Sequence, residues 1–295
     1  MAEQTRAGHV AIIGRPNVGK STLLNRLVGQ RLSITARKPQ TTRHRVLGIV
    51  NAAHAQCAFV DTPGFQSGRT NALGAAMNRT VTRALADVDA VVFVVVAGRY
   101  SPEDERVAAL VPKQAPMIVA VNKIDHLTDR AALLPFLGDL QQRLAPRAIV
   151  PVSARQGYQV NVLLREIASL LPVRPPLYPE DQLTDRDERF FASEFLREKL
   201  FRLLGDELPY ATAVLIDKFE AGPKLRRIHA TVFVDKPSHK AIVLGENGER
   251  MKAIASSARK EMEALFGGKV FLQVWVKVRR GWADDVGQLH RFGYE

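Results

Sequence analysis

The sequence Gly14-Arg15-Pro16-Asn17-Val18-Gly19-Lys20-Ser21-Thr22 follows directly after the apolar run 10–13. Its first eight residues match the phosphate-binding loop pattern G-x-x-x-x-G-K-[ST] without a mismatch. The glycines allow backbone N–H groups to face phosphate oxygens, and the following helix presents its positive N-terminus to the same anion. Lys20 is expected to reach the β and γ phosphates, and the Ser21 hydroxyl to bind Mg²⁺. This stretch therefore predicts a strand, a loop and a helix that together bind a nucleotide.

A second pattern indicates which base is bound. The sequence Asn122-Lys123-Ile124-Asp125 follows a predicted buried strand at 117–121. The Asp125 carboxylate can accept hydrogen bonds from N1–H and N2–H₂ of guanine, whereas adenine would leave that charge unpaired. Ser153-Ala154, after the predicted strand 148–152, is typical of a loop whose backbone contacts guanine. The sequence predicts GTP or GDP as the ligand.

The segment between these motifs contains the expected Mg²⁺ and γ-phosphate contacts. In Asp61-Thr62-Pro63-Gly64, Asp61 is expected to hold Mg²⁺ through water, and the Gly64 N–H to contact the γ phosphate. Thr42 is expected to bring its hydroxyl to Mg²⁺, with Thr41 as an alternative. Phe65 stands where Ras-type enzymes carry the glutamine that orients water, and it is expected to pack on the core.

The pattern of predicted elements divides the chain of 295 residues into two domains. Before residue 172, six apolar strands alternate with helical patterns, which indicates a doubly wound α/β sheet with its ligand at the carboxyl ends of the strands. Residues 171–179 include four prolines, so they are expected to be extended. The predicted boundaries are 1–172 for the GTP-binding domain, 173–180 for the linker and 181–295 for the second domain.

The second domain is predicted from its element order, which is helix, strand, strand, helix, G-x-x-G, helix, strand. This order resembles a type II KH domain, an α+β module that binds single-stranded RNA through the G-x-x-G loop. Glu246 and Asn247 occupy the middle of this loop, where a basic residue is usual, so phosphate contact would rest on the backbone and on basic neighbours. The candidate RNA-binding residues are Lys240, Gly245, Glu246, Asn247, Gly248, Arg250 and Lys252.

Charge and cysteine content are consistent with an intracellular protein that binds nucleic acid. The formal net charge is +12, and residues 218–280, which surround the G-x-x-G loop, contribute +8. In the N-terminal half, the excess of basic over acidic residues could instead be solvated surface. The single cysteine, Cys57, is expected to be a buried core residue, as in a reducing cytoplasm. Residues 1–6 lack the apolar core of a signal peptide, and the apolar run 90–97 is too short to span a bilayer.

These motifs, in this order, resemble the translation-factor-related class of GTP-binding proteins. In detail, G-R-P-N-V-G-K-S, K-P-Q-T-T-R-H-R, D-T-P-G, N-K-I-D and V-S-A are similar to the Era family of bacterial ribosome-assembly GTPases, and so are the stretches 197–204 and 275–285. The resemblance covers nearly the whole chain. It implies a GTP-hydrolysing molecular switch that uses Mg²⁺, binds the 3′ region of small-subunit (16S) ribosomal RNA and assists maturation of the small ribosomal subunit.

The resemblance also implies catalytic residues and a location. Lys20, Thr42, Gly64 and Asn17 are the candidate catalytic residues. Asn17 is similar to the asparagine that coordinates K⁺ in related GTPases, although it could instead brace the loop. The implied protein is a cytoplasmic monomer with peripheral association with the inner face of the cell membrane.

Two other functions are consistent with parts of the sequence. The chain could be an RNA-binding module whose GTP site only stabilises its structure. It could also be a tRNA-modification GTPase, but the KH-like element order and the lack of a second phosphate loop in the sequence disfavour that reading.

Overall fold

The computed structural model describes residues 5–36, 38, 40–65, 71–129, 131–205 and 207–294. Its contacts divide these residues into two compact units, each with its own core. Within the described residues, no helix combines the length and apolar character needed to cross a bilayer. The first unit includes the described residues of 1–33, 42–70 and 77–185, and the second unit includes those of 34–41, 71–76 and 186–295.

The first unit is built on a six-stranded sheet with the strand order β2-β3-β1-β4-β5-β6. β2 is antiparallel to β3, and every other neighbouring pair is parallel. Long runs of β-branched and apolar residues, such as AVVFVVV in β4, favour strands that are buried on both faces. The strands are β1 (Arg6–Ile13), β2 (Val46–Ala52), β3 (Ala55–Asp61), β4 (Ala90–Val96), β5 (Met117–Asn122) and β6 (Ala148–Pro151).

Helices cover both faces of this sheet. On one face, Phe93 and Val119 pack in a core with residues of α2, α3 and α4. The alternate residues Val92 and Ala120 point to the other face and are also fully buried, as expected where α1 and α5 contact the strands. This arrangement confirms the predicted doubly wound fold. The helices are α1 (Lys20–Val28), α2 (Ala72–Ala86), α3 (Pro102–Ala108), α4 (Leu133–Leu144) and α5 (Val160–Leu170).

The carboxyl ends of the parallel strands meet at one edge of the sheet. Gly14 directly follows β1, Asp61 ends β3, and Asn122 ends β5. The Ser153-Ala154 loop begins two residues after β6. The topology therefore brings motifs that are far apart in the sequence to one edge.

The second unit contains a three-stranded sheet with the order β7-β8-β9, in which β7 and β8 are antiparallel and β8 and β9 are parallel. α6 and α8 pack together and against the strands. The predicted element order is confirmed. The elements are α6 (Glu188–Leu203), β7 (Thr212–Ala221), β8 (Leu225–Val234), α7 (Pro237–Leu244), α8 (Glu249–Phe266), β9 (Lys269–Val278) and α9 (Val286–Arg291).

Two features of the second unit were not predicted. The element order predicted from the sequence ends with β9, but in the structure the helix α9 follows it. The Asp285 side chain caps α9 by accepting a hydrogen bond from Gln288 N at 3.1 Å. The described residues of 34–41 also belong to this unit, where Thr35 N donates to Glu198 Oε1 at 3.0 Å and Lys38 Nζ donates to Leu204 O at 2.6 Å. The boundaries 1–172, 173–180 and 181–295 remain a prediction.

Candidate functional site

The phosphate-binding loop has the backbone conformation that its glycines allow. Gly14 has φ of 152° and Gly19 has φ of 106°, both in a region that side chains disfavour. A Cβ on Gly19 would also clash with Asn122 Nδ2. Gly19 is the N-cap of α1, so the free N–H groups of the first turn, which includes Ser21 and Thr22, are directed at the loop. The loop is therefore shaped to receive an anion.

Lys20 is the charged group at the centre of this loop. Its Nζ donates to Gly14 O at 2.9 Å and to Arg15 O at 3.1 Å, which holds the ammonium group against the loop backbone. Burial lowers the pKa of Lys20 to about 8, against the opposing effect of the Asp61 carboxylate. A lysine in this state gains a partner when phosphate oxygens approach, because their negative charge favours the ammonium form.

The two hydroxyls expected at Mg²⁺ lie next to each other. Ser21 Oγ and Thr42 Oγ1 are 2.8 Å apart. The alternative, Thr41, donates its hydroxyl to Lys38 O at 2.7 Å. The geometry thus favours Thr42 over Thr41 as the second hydroxyl ligand.

Asp61 supplies the negative charge of this cluster. Its side chain is fully buried, and within the described residues neither carboxylate oxygen accepts a hydrogen bond of normal geometry. Burial raises the pKa of Asp61, although the Lys20 charge and the nearby Ser21 and Ser33 hydroxyls oppose this shift. A buried carboxylate beside two hydroxyls provides the hard oxygen ligands that Mg²⁺ prefers. The residues present therefore fit the metal that the motifs imply.

The other residues of the 61–64 motif pack against β1 and the phosphate loop. Thr62 Oγ1 donates to Ile12 O at 3.0 Å. A Cβ on Gly64 would lie 2.8 Å from Pro16 Cγ, so only glycine allows this close approach to the loop. Phe65 packs against the core of the first unit, as predicted.

Asn122 joins the guanine motif to the phosphate loop. Its Nδ2 donates to Val18 O at 2.8 Å, and its Oδ1 accepts from Ala154 N at 3.0 Å. Lys123 Nζ donates to Asn17 O at 2.6 Å. One buried amide therefore connects three motifs that are more than thirty residues apart in the sequence.

Asp125 lies in a short 3₁₀ turn directly after Lys123. One of its carboxylate oxygens is 3.3 Å from His126 Nε2, a contact that becomes an ion pair when the imidazole is protonated. Ser153 is buried, and its Oγ accepts a hydrogen bond from Gln156 N at 3.2 Å, which shapes the Ser153-Ala154 loop. Ile124 N donates to Val152 O at 3.4 Å, which connects the turn that carries Asp125 to the segment just before this loop.

Two supporting side chains were missed by the sequence analysis. Asp104 is fully buried and accepts from Arg15 Nε at 3.1 Å through both oxygens, while it also caps α3 with Ser101. Arg26 of α1 donates to Ala154 O at 3.2 Å. The capping pattern Ser101-x-x-Asp104 was visible in the sequence, but its connection to the phosphate loop depends on the fold.

The G-x-x-G loop joins α7 to α8. Gly245 has φ of 73° and Gly248 has φ of 79°, and Asn247 between them has φ of 50°. A Cβ on Gly245 would lie 2.7 Å from Arg250 Cβ, whereas one on Gly248 would meet no atom within 4 Å. The Cβ direction of Gly248 therefore faces open space at the N-terminus of α8, while its own N–H donates to Gly245 O at 3.2 Å.

The basic neighbours of this loop differ in their present contacts. Arg250 Nη1 donates to Ile242 O at 2.7 Å, so part of its guanidinium is already used. Lys240 and Lys252 are exposed, as are Glu246 and Asn247. The loop and its neighbours thus present lysine side chains to solvent, with two carboxylates, Glu246 and Glu249, among them.

Comparisons with known proteins agree with the predicted fold class. Residues 9–123 match the family model described as 50S ribosome-binding GTPase, and residues 207–283 match the KH domain. The chain is 50% identical over 290 residues to GTPase Era of Nitrosomonas eutropha, with 98% of each chain covered.

Two solved structures are similar over the full length. One is a variant of Aquifex aeolicus Era bound to GDP and AlF4⁻, and the other is Era in complex with MgGDPNP and nucleotides 1506–1542 of 16S ribosomal RNA. For each, the TM-score is 0.95, the identity is 37%, and the match covers 98% of this chain and 99% of the other. The chain therefore belongs to the GTPase Era family.

Proposed function

We propose that this protein is a GTP-hydrolysing molecular switch that binds small-subunit ribosomal RNA near its 3′ end and assists maturation of the small ribosomal subunit. The main support for the GTP site is the buried Asn122 amide. It connects the phosphate loop, through Val18, to the Ser153-Ala154 loop, and it belongs to the same motif as Asp125. Two hydroxyls and a buried carboxylate complete the site on its phosphate side.

Each residue of the site has a role in this proposal. The loop 14–19 and the first turn of α1 donate backbone N–H groups to the phosphates, and Lys20 adds positive charge. Ser21, Thr42 and Asp61 would hold Mg²⁺, which neutralises negative charge on the phosphates when it is bound. Asp125 selects guanine because adenine has no donor at N1 or at C2, where guanine offers N1–H and N2–H₂ to the carboxylate.

The RNA partner is proposed from the similar structure that contains 16S ribosomal RNA. The family model for residues 9–123 has a description that names the large subunit instead, but that match ends before residue 186, where the main segment of the second unit begins. A contact to RNA is better indicated by a full-length match than by the nucleotide-binding part alone. We therefore assign the small subunit.

We propose two alternative roles for the Asn17 side chain. Asn17 has φ of 64°, and its carbonyl accepts from Lys123. Its side chain either coordinates K⁺ in place of an arginine finger or braces the loop. Faster hydrolysis in K⁺ than in Na⁺ at matched ionic strength supports coordination, and identical rates support bracing.

The cellular setting is also proposed. We infer a monomer in the cytoplasm that associates peripherally with the inner face of the cell membrane, with the domain boundaries 1–172, 173–180 and 181–295. Support comes from the family resemblance and from the single cysteine, Cys57, which is buried. Sedimentation of the purified protein and fractionation of cells test the oligomeric state and the location.

The central experiment separates a switch from an RNA-binding module with a merely structural nucleotide. GTP turnover is measured with and without a saturating RNA of nucleotides 1506–1542 of 16S ribosomal RNA, with Lys20→Ala as the inactive control. Multiple turnovers that the RNA accelerates support the switch. Bound GTP that is never hydrolysed in either condition would contradict it.

A further inference from the structure

The sheet of the second unit has one face that α6 and α8 do not cover, and within the described residues only its Phe233 end is packed, against Phe292 after α9, with ring centroids 5.1 Å apart. Residues directly opposite each other in neighbouring strands share a face. In the β8–β9 register, Arg227 is opposite Phe271, His229 is opposite Gln273, and Thr231 is opposite Trp275. The alternate residues of β8, such as Ile228 and Val232, are fully buried and form the covered face. The side chains of Phe271, His229 and Trp275 therefore stand together on the open face.

Three of these side chains form a continuous row of rings. The ring centroids of His229 and Phe271 are 6.3 Å apart, and those of His229 and Trp275 are 5.5 Å apart. Phe271 is 48% exposed and Trp275 is 40% exposed. Exposed aromatic surface of this size is unfavourable in water and commonly marks a binding surface.

The charges around this row favour an anionic partner. Lys269, Lys277 and Arg227 lie on the same face as the rings, because the register pairs Lys269 with Leu225 and Lys277 with Phe233. The carboxylates of the same face are already engaged, since Glu220 pairs with Lys218 at 2.7 Å and Asp217 accepts from Thr231 at 2.7 Å. The face thus combines exposed rings with positive charge, which complements single-stranded nucleic acid.

We propose that this open sheet face is a second RNA-binding surface, on which bases of single-stranded RNA stack on Phe271, His229 and Trp275 while Arg227, Lys269 and Lys277 contact phosphates. Phe271 and Trp275 are four residues apart on one strand, which separates their rings by about 13 Å. A row of that length with His229 in its middle suits two or three successive bases, as on other RNA-binding sheets. The proposal rests on the proposed function, because it takes RNA as the partner.

This surface is separate from the G-x-x-G loop. The loop joins α7 to α8, whereas the rings stand on the face of the sheet that α8 does not cover. A long RNA could contact both surfaces, and loss of one would leave the other in place. The two contacts can therefore be tested independently.

Tryptophan fluorescence provides a direct test. The chain contains two tryptophans, and Trp282 is only 1% exposed, so a base that stacks on the protein surface can quench Trp275 alone. The probe is an RNA of nucleotides 1506–1542 of 16S ribosomal RNA. We expect this RNA to quench the parent protein and to leave the emission of Trp275→Leu unchanged. An unquenched parent that binds the RNA overturns the proposal.

Affinity measurements test the energetic contribution of the rings. By fluorescence anisotropy of the labelled RNA, Phe271→Leu and Trp275→Leu should each weaken binding about fivefold to a hundredfold. The salt dependence of binding should keep its slope, because no phosphate contact is removed. Trp275→Phe retains a ring and should bind nearly as the parent does. Val278→Ala, on the same strand but the opposite face, is the matched control and should also bind as the parent does.

The outcomes distinguish this proposal from the proposed function. If the parent fails to bind the RNA at all, the proposed function itself is wrong. If the parent binds but both leucine variants bind equally well, the sheet face is not an RNA surface and the proposed function stands. If small ribosomal subunits shield Trp275 from acrylamide while neither the free fragment nor protein-free 16S ribosomal RNA does, the face contacts protein, and the RNA assignment is again wrong.

Discussion

At the scale of single residues, Asp61 illustrates the cost of preparing a metal site. Its carboxylate is buried, and burial raises its pKa. Above the ordinary pKa of an aspartate the unfolded chain ionises first, so this group lowers stability as pH rises. Asp61→Asn should therefore stabilise the nucleotide-free protein by about 1–3 kcal/mol at neutral pH and abolish Mg²⁺-dependent hydrolysis.

Thermal melting with and without Mg²⁺ checks this expectation. The melting temperature of the variant should exceed that of the parent by several degrees in EDTA, and the difference should shrink when Mg²⁺ and GDP are added. Asp139→Asn, at an exposed carboxylate on α4, serves as the control and should leave Mg²⁺ dependence unchanged. A variant that melts below the parent in EDTA would contradict the account of Asp61.

Lys20 should make nucleotide binding depend on pH. Burial lowers its pKa to about 8, and bound phosphates favour the charged form, so binding takes up a proton above that pH. The Kd for GDP should be about fourfold higher at pH 8.5 than at pH 7. Titrations in EDTA with a fluorescent GDP measure this change. Lys20→Arg, whose guanidinium stays charged, should show no such pH dependence if it binds GDP. A Kd of the parent protein that does not change with pH would contradict the lowered pKa of Lys20.

Asp125 decides the choice of base. Asp125→Asn should weaken GTP binding at least about a hundredfold, because an amide cannot accept from both guanine donors. It should improve binding of xanthosine triphosphate, whose C2 carbonyl suits an amide donor. Equal loss of both nucleotides in a folded variant would argue against the assignment.

At the scale of secondary-structure elements, Asp104 connects α3 to the phosphate loop. It completes the capping box with Ser101 and also pairs with Arg15. Asp104→Ala should cost about 2–3 kcal/mol of stability, because it removes a cap and leaves Arg15 without this carboxylate. Ser101→Ala removes only part of the cap and should cost about 1 kcal/mol.

The pair of variants separates helix capping from loop positioning. Denaturant unfolding gives the stabilities, and calorimetric titration gives the affinity for GDP. We expect weaker GDP binding for Asp104→Ala and parental binding for Ser101→Ala. If both variants bind GDP as tightly as the parent, the contact to Arg15 stabilises the fold without positioning the loop.

At the scale of the whole molecule, the nucleotide and RNA sites belong to separate cores, so they should respond separately to substitution. Gly248→Asp adds a negative charge where phosphate must approach, and no atom lies within 4 Å of the new Cβ. RNA binding should fall at least about tenfold, while GTP affinity stays close to that of the parent. RNA stimulation of hydrolysis should disappear with the binding.

Gly267→Asp is the matched control for this variant. Gly267 has φ of 65°, lies at the other end of α8, and also has open space around its Cβ position. Both variants carry the same backbone strain and charge, but only Gly248 lies in the proposed RNA loop. Filter binding across a salt series measures the RNA affinity. Equal RNA affinity of the two folded variants would assign binding to the basic surface alone.

The sequence by itself determined the nucleotide-binding loop, the guanine motif, the alternating strands and helices and the element order of the second unit. These features are local: a glycine allows a backbone angle, an apolar run predicts a buried strand, and a short motif keeps its residues together. Gly19, Gly64 and Phe65 could therefore be interpreted from the chain alone.

Only the tertiary structure decided which distant side chains meet. It placed Ser21 beside Thr42, used the hydroxyl of Thr41 elsewhere, and brought Asp104 to Arg15. It also grouped the described residues of 34–41 with the second unit and aligned Phe271, His229 and Trp275 on one face of the sheet. Such contacts depend on strand register and helix packing across long sequence separations, and short-range patterns carry little information about them.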